Sequence, residues 1–211
     1  MIALTETQRT DAWSFARIGM VTASRAKDVM SKGRGSEPSK TRQAYIDELV
    51  AERLTGASQG FKGNEATAWG ESHESEALGA FEEHSGKLVQ LTGFLAHPEL
   101  MAGASPDGLV GQDETIEIKC PFNTTRHLRC FVDGVPDEHI PQIQFQLWIT
   151  GRRACHFVSY DPRCLNEKLR LFVGYVERDD HYINRLDTEV RKLLQEVDAE
   201  VGKVLESAKA S

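Results

Sequence analysis

The sequence has no apolar run near the roughly 18 residues that a membrane span requires, so it predicts no transmembrane helix. Its first residues, MIALTETQRTDAW, also lack the basic stretch and apolar core of a secretory signal. From these two absences we expect a cytoplasmic protein that does not bind a membrane.

Cysteine is scarce, and its spacing excludes several kinds of site. No C-x-x-C pair occurs, which argues against a zinc ribbon and a redox motif, and the wide spacing argues against an iron–sulfur cluster. We expect reduced, structural thiols. The chain has four cysteines, Cys120, Cys130, Cys155 and Cys164.

Positive charge is also in short supply, with 25 Lys and Arg against 32 Asp and Glu and a net charge of −7. Phosphate contacts usually require basic residues. However, a metal-dependent nuclease gathers carboxylates around its ions, and a ring-shaped oligomer could confine positive charge to its lining. Net charge therefore does not decide for or against DNA as a partner.

The remaining composition, 40% hydrophobic and 27% charged over 211 residues, is typical of one globular domain covering residues 1–211. The first half predicts helices separated by a basic loop, SKGRGSEPSK, at residues 31–40. Capping residues and apolar spacing predict three helices. They run from Thr22 or Ser24 to Met30, from Thr41 to Leu54 and from Glu65 to His84.

From Lys87 onwards, short runs rich in β-forming residues alternate with Gly, Pro and Asp, which predicts a meander of strands. A helix over 141–150, two more strands in ACHFVSYD and KLRLFVGYVE, and a long helix over 179–208 complete the chain. This order predicts an α/β fold with a mixed central sheet flanked by helices.

The strand ETIEIKC places Glu117 and Lys119 on one face, because side chains alternate along a strand. Taken alone, this pair favours a solvated face of an edge strand. Pro106, Asp107 and Gly108 change that interpretation, because a hairpin turn in the intervening segment would bring Asp107 beside Glu117. Two carboxylates and a lysine would then converge.

Such a set suits Mg²⁺ and a phosphodiester, because hydrolysis needs oxygen ligands for the ion and a cation near the attacking water. We expect Asp107, Glu117 and the backbone carbonyl of Ile118 to hold the ion. Lys119 would orient or deprotonate the water, and a divalent cation beside it would depress its pKa.

The segment WGESHESEALGAF carries Glu71 and Glu74 near one helical face, with His73 and Glu76 turned away from it. One of the first two could supply a carboxylate to a second ion. A solvated acidic helix face is an equally good interpretation of these residues alone.

The segments SPDGL at 105–109 and EIKCPF at 117–122 carry a family resemblance. Through them the chain resembles the phage lambda exonuclease family of viral recombination nucleases, within the PD-(D/E)xK restriction-endonuclease-like superfamily. Five further segments agree with that family in their order along the chain. They are DAW at 11–13, RIGMVTAS at 17–24, AWGESHE at 68–74, PQIQFQLW at 141–148 and YDPR at 160–163.

The resemblance implies a toroidal homotrimer encoded by a phage or prophage in a bacterial host. It implies processive 5′→3′ degradation of one strand of duplex DNA, which leaves a 3′ single strand for an annealing protein. Two Mg²⁺ ions, with Mn²⁺ as a substitute, would serve the reaction. Matched by position, Asp107, Glu117 and Lys119 are the catalytic set, and Glu74 is the helix carboxylate near the metals.

The resemblance also implies a receptor for a terminal 5′-phosphate, and an arginine in the basic loop, Arg34, that reaches the DNA end. Without the family, each of these residues could be an ordinary surface, capping or loop residue, and Trp13 a core residue. The receptor comprises Arg17, Ser24, Ser105 and Gln142.

The chain departs from the family pattern at Glu65 and Thr67, where a basic residue and an apolar wedge are expected. Three other functions stay open from the sequence. They are an endonuclease of the same superfamily, a DNA-binding or scaffold subunit without catalysis, and a single-strand exonuclease with an iron–sulfur cluster.

Overall fold

The structure is a computed structural model that describes residues 2–3, 8–33, 39–59 and 63–210. The α-helices in this part of the chain are α1 (Asp11–Ala16), α2 (Ala26–Val29), α3 (Lys40–Thr55), α4 (Glu65–Ser85), α5 (Thr124–Asp133), α6 (Ile140–Thr150) and α7 (Asp180–Lys209). The strands are β1 (Ile2–Ala3), β2 (Val21–Thr22), β3 (Val89–Gln90), β4 (Leu95–Ala96), β5 (Ala102–Ala104), β6 (Gly108–Val110), β7 (Glu114–Lys119), β8 (Ala154–Tyr160) and β9 (Leu171–Glu177).

The strands form two sheets, and the larger one carries the hairpin expected from the sequence. Its order is β3-β6-β7-β8-β9, with β7 and β8 parallel and the other neighbours antiparallel. The smaller sheet has the order β1-β4-β5-β2. The α/β class with sheets flanked by helices is confirmed, but the expected single meander is divided between two sheets. Pro106, which has no N–H for a strand ladder, lies where the chain passes from one sheet to the other.

Helices cover both faces of the larger sheet. On one face, Phe81 of α4 packs in a cluster with Ile116 and Ile118 of β7. On the other face, Ile143 of α6 packs in a cluster with Phe157 of β8. Strand β7 is therefore a central strand, and the solvated edge considered for Glu117 and Lys119 is wrong.

Capping signals identified α3 and α4 well, since both end at a glycine with positive φ, Gly56 and Gly86. The proposed caps of the first predicted helix are wrong, because the Thr22 side chain forms no capping hydrogen bond and Ser24 lies inside a 3-10 turn. Helices α1 and α5 were missed. Helix α5 begins after Asn123, whose side chain accepts the Thr125 N–H at 2.9 Å.

The four cysteines are free and buried, in agreement with their expected structural role. Among the described residues, no helix is long and apolar enough to cross a membrane.

Candidate active site

The hairpin β6–β7 brings Asp107 and Glu117 together as its spacing predicts. Gly108 pairs with Ile116 in an antiparallel register, so the residues just beyond this pair, Asp107 and Glu117, face each other across the ladder. A side chain at position 108 would meet Val89 Cγ1 at 2.2 Å, which accounts for glycine after Asp107. The packing of β3 against β6 therefore requires glycine at position 108.

Asp107 lies in an environment that disfavours its charge. Its Oδ2 accepts the Ile118 backbone N–H at 2.6 Å. Burial, followed by the negative charge of Glu117, raises the pKa of Asp107 well above its ordinary value, and Lys119 only partly opposes this effect. The site thus concentrates negative charge beyond what its own lysine neutralises.

Glu117 is almost fully buried, with 2% of its side chain exposed, and two glutamines of α6 hold it. Gln142 Nε2 donates to Glu117 Oε1 at 2.6 Å, and Gln146 Nε2 donates to Oε2 at 2.5 Å. Lys119 Nζ forms an ion pair with the same Oε1. Sequence reasoning missed Gln146, although its spacing of one helical turn from Gln142 indicated that both face one way.

Lys119 is protonated under the influence of the protein's own groups. Burial lowers its pKa, but Glu117 and Asp107 together outweigh burial and raise the pKa above its ordinary value. The depressed pKa expected from the sequence is therefore not produced by the protein alone. It would require a further cation to offset the two carboxylates.

Glu74 of α4 faces this site across a cavity of about 290 Å³ that Lys119 and Ile118 also line. It forms an ion pair with Arg9, which approaches Glu71 at 3.7 Å. Within the described residues, no three His, Cys, Asp or Glu side chains are grouped closely enough to hold a metal ion.

Two other residues of the same helix point elsewhere, as the sequence predicts. The His73 ring lies against Trp69 in a tilted arrangement with centroids 3.9 Å apart, and Glu76 accepts a hydrogen bond from the Tyr160 hydroxyl at 2.6 Å. Neither is available to the site around Asp107.

The chemistry of the donor set nevertheless fits a hard divalent cation. Asp107 and Glu117 contribute carboxylate oxygens, the carbonyl of Ile118 lies between Glu117 and Lys119 in the chain, and one lysine leaves the carboxylate pair with a net negative charge. Mg²⁺ prefers oxygen ligands of this kind.

A second cavity, of about 530 Å³, is lined by Trp13, Arg17 and Ser24. The Arg17 guanidinium carbon lies 4.0 Å from the centroid of the Trp13 ring. Trp13 Nε1 donates to Ser105 Oγ at 2.9 Å. The structure thus gathers Arg17, Ser24 and Ser105 around Trp13, which organises the cavity and is not a core residue.

The acidic residues that line this cavity are engaged by other groups. Glu48 accepts two hydrogen bonds from Arg25 at 2.7 and 2.8 Å, and Glu52 accepts the Gly19 N–H at 2.8 Å. In the described parts of the chain, no carboxylate forms an ion pair with Arg17. Burial lowers the pKa of Arg17, yet a guanidinium stays charged in proteins. Glu52, whose negative charge partly opposes this lowering, forms no ion pair with Arg17, so the cavity presents a guanidinium that no described carboxylate contacts.

Gln142 does not line the Arg17 cavity. It contacts Glu117, and it shares a smaller cavity of about 220 Å³ with Ser24 and Lys119. Ser24 consequently borders both spaces and connects them. Arg34 and part of its loop lie outside the described residues.

A mixed sheet in which a Pro-Asp hairpin faces a Glu-x-Lys strand defines the PD-(D/E)xK class of nucleases. The chain belongs to the YqaJ-like viral recombinase family, whose sequence profile matches residues 12–153. The matched region includes Asp107, Glu117, Lys119 and Gln142. The resemblance to the viral exonuclease family is thereby confirmed, and this membership implies a nuclease.

Solved structures agree with this assignment. An alkaline exonuclease from Laribacter hongkongensis, LHK-Exo, is 41% identical with a TM-score of 0.87, over 96% of this chain and all of that chain. The same values hold for LHK-Exo in complex with dAMP. A phage-related exonuclease from Haemophilus somnus is 15% identical with a TM-score of 0.71, over 88% of this chain and 96% of that chain, and shows the fold alone.

A curated relative covers a smaller part of the chain. ExoD from Escherichia coli is 31% identical over 73 residues, which amount to 33% of this chain and 82% of ExoD.

Proposed function

We propose that the protein is a Mg²⁺-dependent 5′→3′ exonuclease that degrades one strand of linear duplex DNA from a 5′-phosphorylated end. One observation carries the proposal. Lys119, whose strand also carries Glu117, lines one cavity with Ser24, and Ser24 also lines the cavity in which no described carboxylate forms an ion pair with Arg17. A nuclease site beside an anion receptor suits an enzyme that begins at a phosphorylated end.

Asp107, Glu117, the Ile118 carbonyl and Glu74 would hold two Mg²⁺ ions, for which Mn²⁺ would substitute. Glu74 would have to leave Arg9 to take part. Bound Mg²⁺ would supply a water of lowered pKa and neutralise charge on the phosphoryl oxygens.

In the reaction we propose, a water oxygen bonds to the scissile phosphorus, the bond from phosphorus to the 3′ oxygen breaks, and that oxygen takes a proton. Gln142 and Gln146 hold Glu117 in one orientation throughout. Lys119, with 31% of its side chain exposed, is placed to orient the attacking water. It would accept a proton from that water once bound Mg²⁺ neutralises Asp107 and Glu117.

Arg17, with Ser24 and Ser105 beside it, would bind the terminal 5′-phosphate. A charge-assisted contact of this kind is strong when partly removed from water. Each cleavage creates a new 5′-phosphate, so the receptor would draw the strand forward. The dAMP bound to LHK-Exo is a mononucleotide of the kind that such a reaction releases.

The proposal includes a closed homotrimer that threads the duplex, and an annealing protein that receives the 3′ strand. A closed homotrimer around the duplex would let a chain of net charge −7 retain DNA through many cleavages. Sedimentation should show a trimer at micromolar concentration, and a fully processive monomer would contradict this part of the proposal.

Digestion of end-labelled duplex with a 5′-phosphate or a 5′-hydroxyl tests the proposal. Arg17→Ala should raise the activation free energy for digestion of the phosphorylated end by about 1.5–3 kcal/mol. Its effect on the hydroxyl end should be far smaller. Arg25→Ala is the matched control, because Arg25 lines the same cavity but is already paired with Glu48.

The ratio of rates on the two ends does not depend on how much protein is folded. Equal slowing of both ends by Arg17→Ala would contradict a phosphate receptor. Cleavage of closed circular duplex would favour an endonuclease instead.

A further inference from the structure

The segment that carries Arg9 is anchored to the hairpin that carries Asp107. Gln8 Nε2 donates to the backbone carbonyl of Pro106 at 2.8 Å and to that of Thr92 at 2.9 Å. Pro106 directly precedes Asp107, so these two hydrogen bonds fix the chain next to Arg9 at the start of the hairpin. Arg9 thus approaches the nuclease site from a fixed point of the fold.

The backbone of Arg9 adopts a conformation that few residues with a side chain accept. Its φ is +66°, and among the described residues other than glycine it alone has a positive φ. Residues held in this region against their local preference are often found at functional sites. Here the conformation accompanies a side chain that lines the cavity shared by Glu74, Ile118 and Lys119.

Two carboxylates of α4 hold the Arg9 guanidinium. It forms an ion pair with Glu74 Oε2, and Arg9 Nε lies 3.7 Å from Glu71 Oε1. In the part of the chain that the structure describes, these two glutamates are the ionic partners of Arg9. The guanidinium therefore rests on the carboxylate that is proposed to hold a metal ion, so the two cations would compete for Glu74.

The ion pair between Arg9 and Glu74 is open to solvent. The exposed fraction of the side chain is 47% for Arg9 and 29% for Glu74. Ion pairs this exposed contribute little to stability, because water and salt screen them. Glu74 would therefore lose little stabilisation on exchanging the guanidinium for an ion of higher charge.

Glu74 belongs to the same group of charges as the hairpin carboxylates. Burial and the charge of Glu117 are the main causes of the raised pKa of Asp107, and the negative charge of Glu74 adds to them. Arg9 offsets part of that negative charge. A divalent cation at Glu74 would repel the Arg9 guanidinium, whereas a phosphodiester of the substrate strand would attract it.

We propose that Arg9 is an exchangeable counter-ion, which neutralises Glu74 in the metal-free protein and moves to a phosphodiester of the substrate strand when Glu74 binds a divalent cation. The proposal rests on the proposed function, in which Glu74 is a metal ligand. Because Arg9 gains a phosphate as it loses Glu74, DNA and the cation should bind cooperatively through it. Arg9 would thereby link metal binding at the site to the presence of substrate.

Calorimetric titration of the protein with Mg²⁺, with and without duplex DNA, tests this exchange without requiring catalysis. The duplex has a 5′-phosphate and carries a methylene group in place of the 3′ oxygen at its first linkage, so that linkage keeps its charge but is not hydrolysed. Without DNA, Arg9→Gln should bind Mg²⁺ about fivefold more tightly than wild type, since the competing cation is gone. The gain in Mg²⁺ affinity that the duplex brings should be about fivefold larger in wild type than in Arg9→Gln.

Glu74→Gln separates the exchange from a general effect of lost positive charge. In that background the carboxylate for which the cations compete is absent, so adding Arg9→Gln should leave Mg²⁺ affinity unchanged. A general charge effect would raise the affinity in both backgrounds and would overturn the proposal. Arg126→Gln is the matched control, because it removes an exposed cation that lies beside Lys119 but is paired with Glu138. Without DNA, its Mg²⁺ affinity should stay within about twofold of wild type.

Arg9→Asn is a second variant in case Arg9→Gln does not fold, because asparagine adopts the left-handed region more readily than glutamine. Thermal unfolding without Mg²⁺ verifies that each variant is folded. Unchanged Mg²⁺ affinity in a folded Arg9 variant would overturn the proposal. An equal gain from the duplex in wild type and in the Arg9 variants would also overturn it.

The exchange and the proposed function fail in different ways. If only the exchange is wrong, Arg9→Gln leaves Mg²⁺ affinity unchanged, while duplex with a 5′-phosphate is still degraded faster than duplex with a 5′-hydroxyl. If only the exonuclease proposal is wrong, Arg9→Gln still strengthens Mg²⁺ binding, but the 5′-phosphate has no effect on degradation.

Discussion

Strand β7 carries two buried glutamates near its opposite ends, and their surroundings differ. Glu114 accepts hydrogen bonds from Lys87 at 2.7 Å, His156 at 2.8 Å, Tyr175 at 2.9 Å and Arg153 at 3.0 Å. Burial alone would raise its pKa, but these donors together lower the pKa of Glu114 to about 2. Its negative charge is fully compensated.

Glu117, three residues further along, shares its surroundings with a second carboxylate. Asp107 faces it, and Lys119 is the cation that the protein supplies. Two neutral glutamines fix its orientation without offsetting its charge. The comparison indicates that Glu114 stabilises the fold, whereas the Asp107–Glu117 pair retains an excess of negative charge for a cation to neutralise.

Asp107→Asn and Glu117→Gln give the largest expected effect. Each should reduce cleavage of duplex DNA by at least about a thousandfold, since each removes a charged oxygen needed for metal and transition-state stabilisation. Asp107→Asn should also raise the free energy of unfolding, because it relieves repulsion with Glu117. Steady-state cleavage and urea unfolding measure the two quantities, and near wild-type turnover in either variant would show that the site is wrongly assigned.

Glu114→Gln should give the reverse of the Asp107→Asn result, a loss of stability with cleavage retained. It leaves the four donors with a weaker acceptor, so the free energy of unfolding should fall by about 3 kcal/mol. Cleavage per folded molecule should stay near the wild-type value, because Glu114 contacts no part of the proposed site. If this variant lost activity while folded, the division between the two ends of β7 would be wrong.

The pH dependence of the unfolding free energy tests the same difference between Glu114 and the Asp107–Glu117 pair. The pKa of Glu114 is about 2 in the folded protein, against an ordinary value of 4.5, so its stabilisation is complete above pH 4.5. It should be lost as the pH falls from about 4.5 towards 2. The difference in unfolding free energy between wild type and Glu114→Gln should therefore be constant above pH 5 and shrink towards zero in acid, and a constant difference at every pH would contradict this account.

Gln146→Leu should have a smaller effect than the loss of either carboxylate. Glu117 keeps its charge and its bond from Gln142 but loses the donor to Oε2. We expect kcat to fall roughly tenfold with KM nearly unchanged, because Gln146 is fully buried and acts through Glu117. Gln146→Glu, which adds a third carboxylate, should lower kcat further. A rise in KM with kcat unchanged would argue against a positioning role for Gln146.

Local signals predicted the hairpin that carries Asp107 and Glu117, and the main helices. Pro106-Asp107-Gly108 and the alternation of β7 were sufficient to place Asp107 opposite Glu117. Residues that act through distant contacts could not be found in this way. The hydrogen bond from Gln146 to Glu117 and the ion pair of Arg9 with Glu74 join segments far apart in the chain. Helical spacing indicated the direction of Gln146 but not its partner.

The same limit applies to the cavities and to the second sheet. Strands of two or three residues, such as β2 and β5, carry too little periodicity to predict their pairing. The family resemblance placed Gln142 in one receptor with Arg17, whereas in the fold these two residues line different cavities, both of which Ser24 borders.

The central claim is that the negative excess at Asp107 and Glu117 is a site for a divalent cation. Thermal unfolding with and without Mg²⁺ tests it most directly, because a ligand at about 100 times its Kd stabilises the folded state by about 2.7 kcal/mol. We predict that Mg²⁺ raises the Tm of the wild type and of Glu114→Gln by similar amounts, and does not raise that of Asp107→Asn. An equal rise in Asp107→Asn, or no response in the wild type, would contradict the claim.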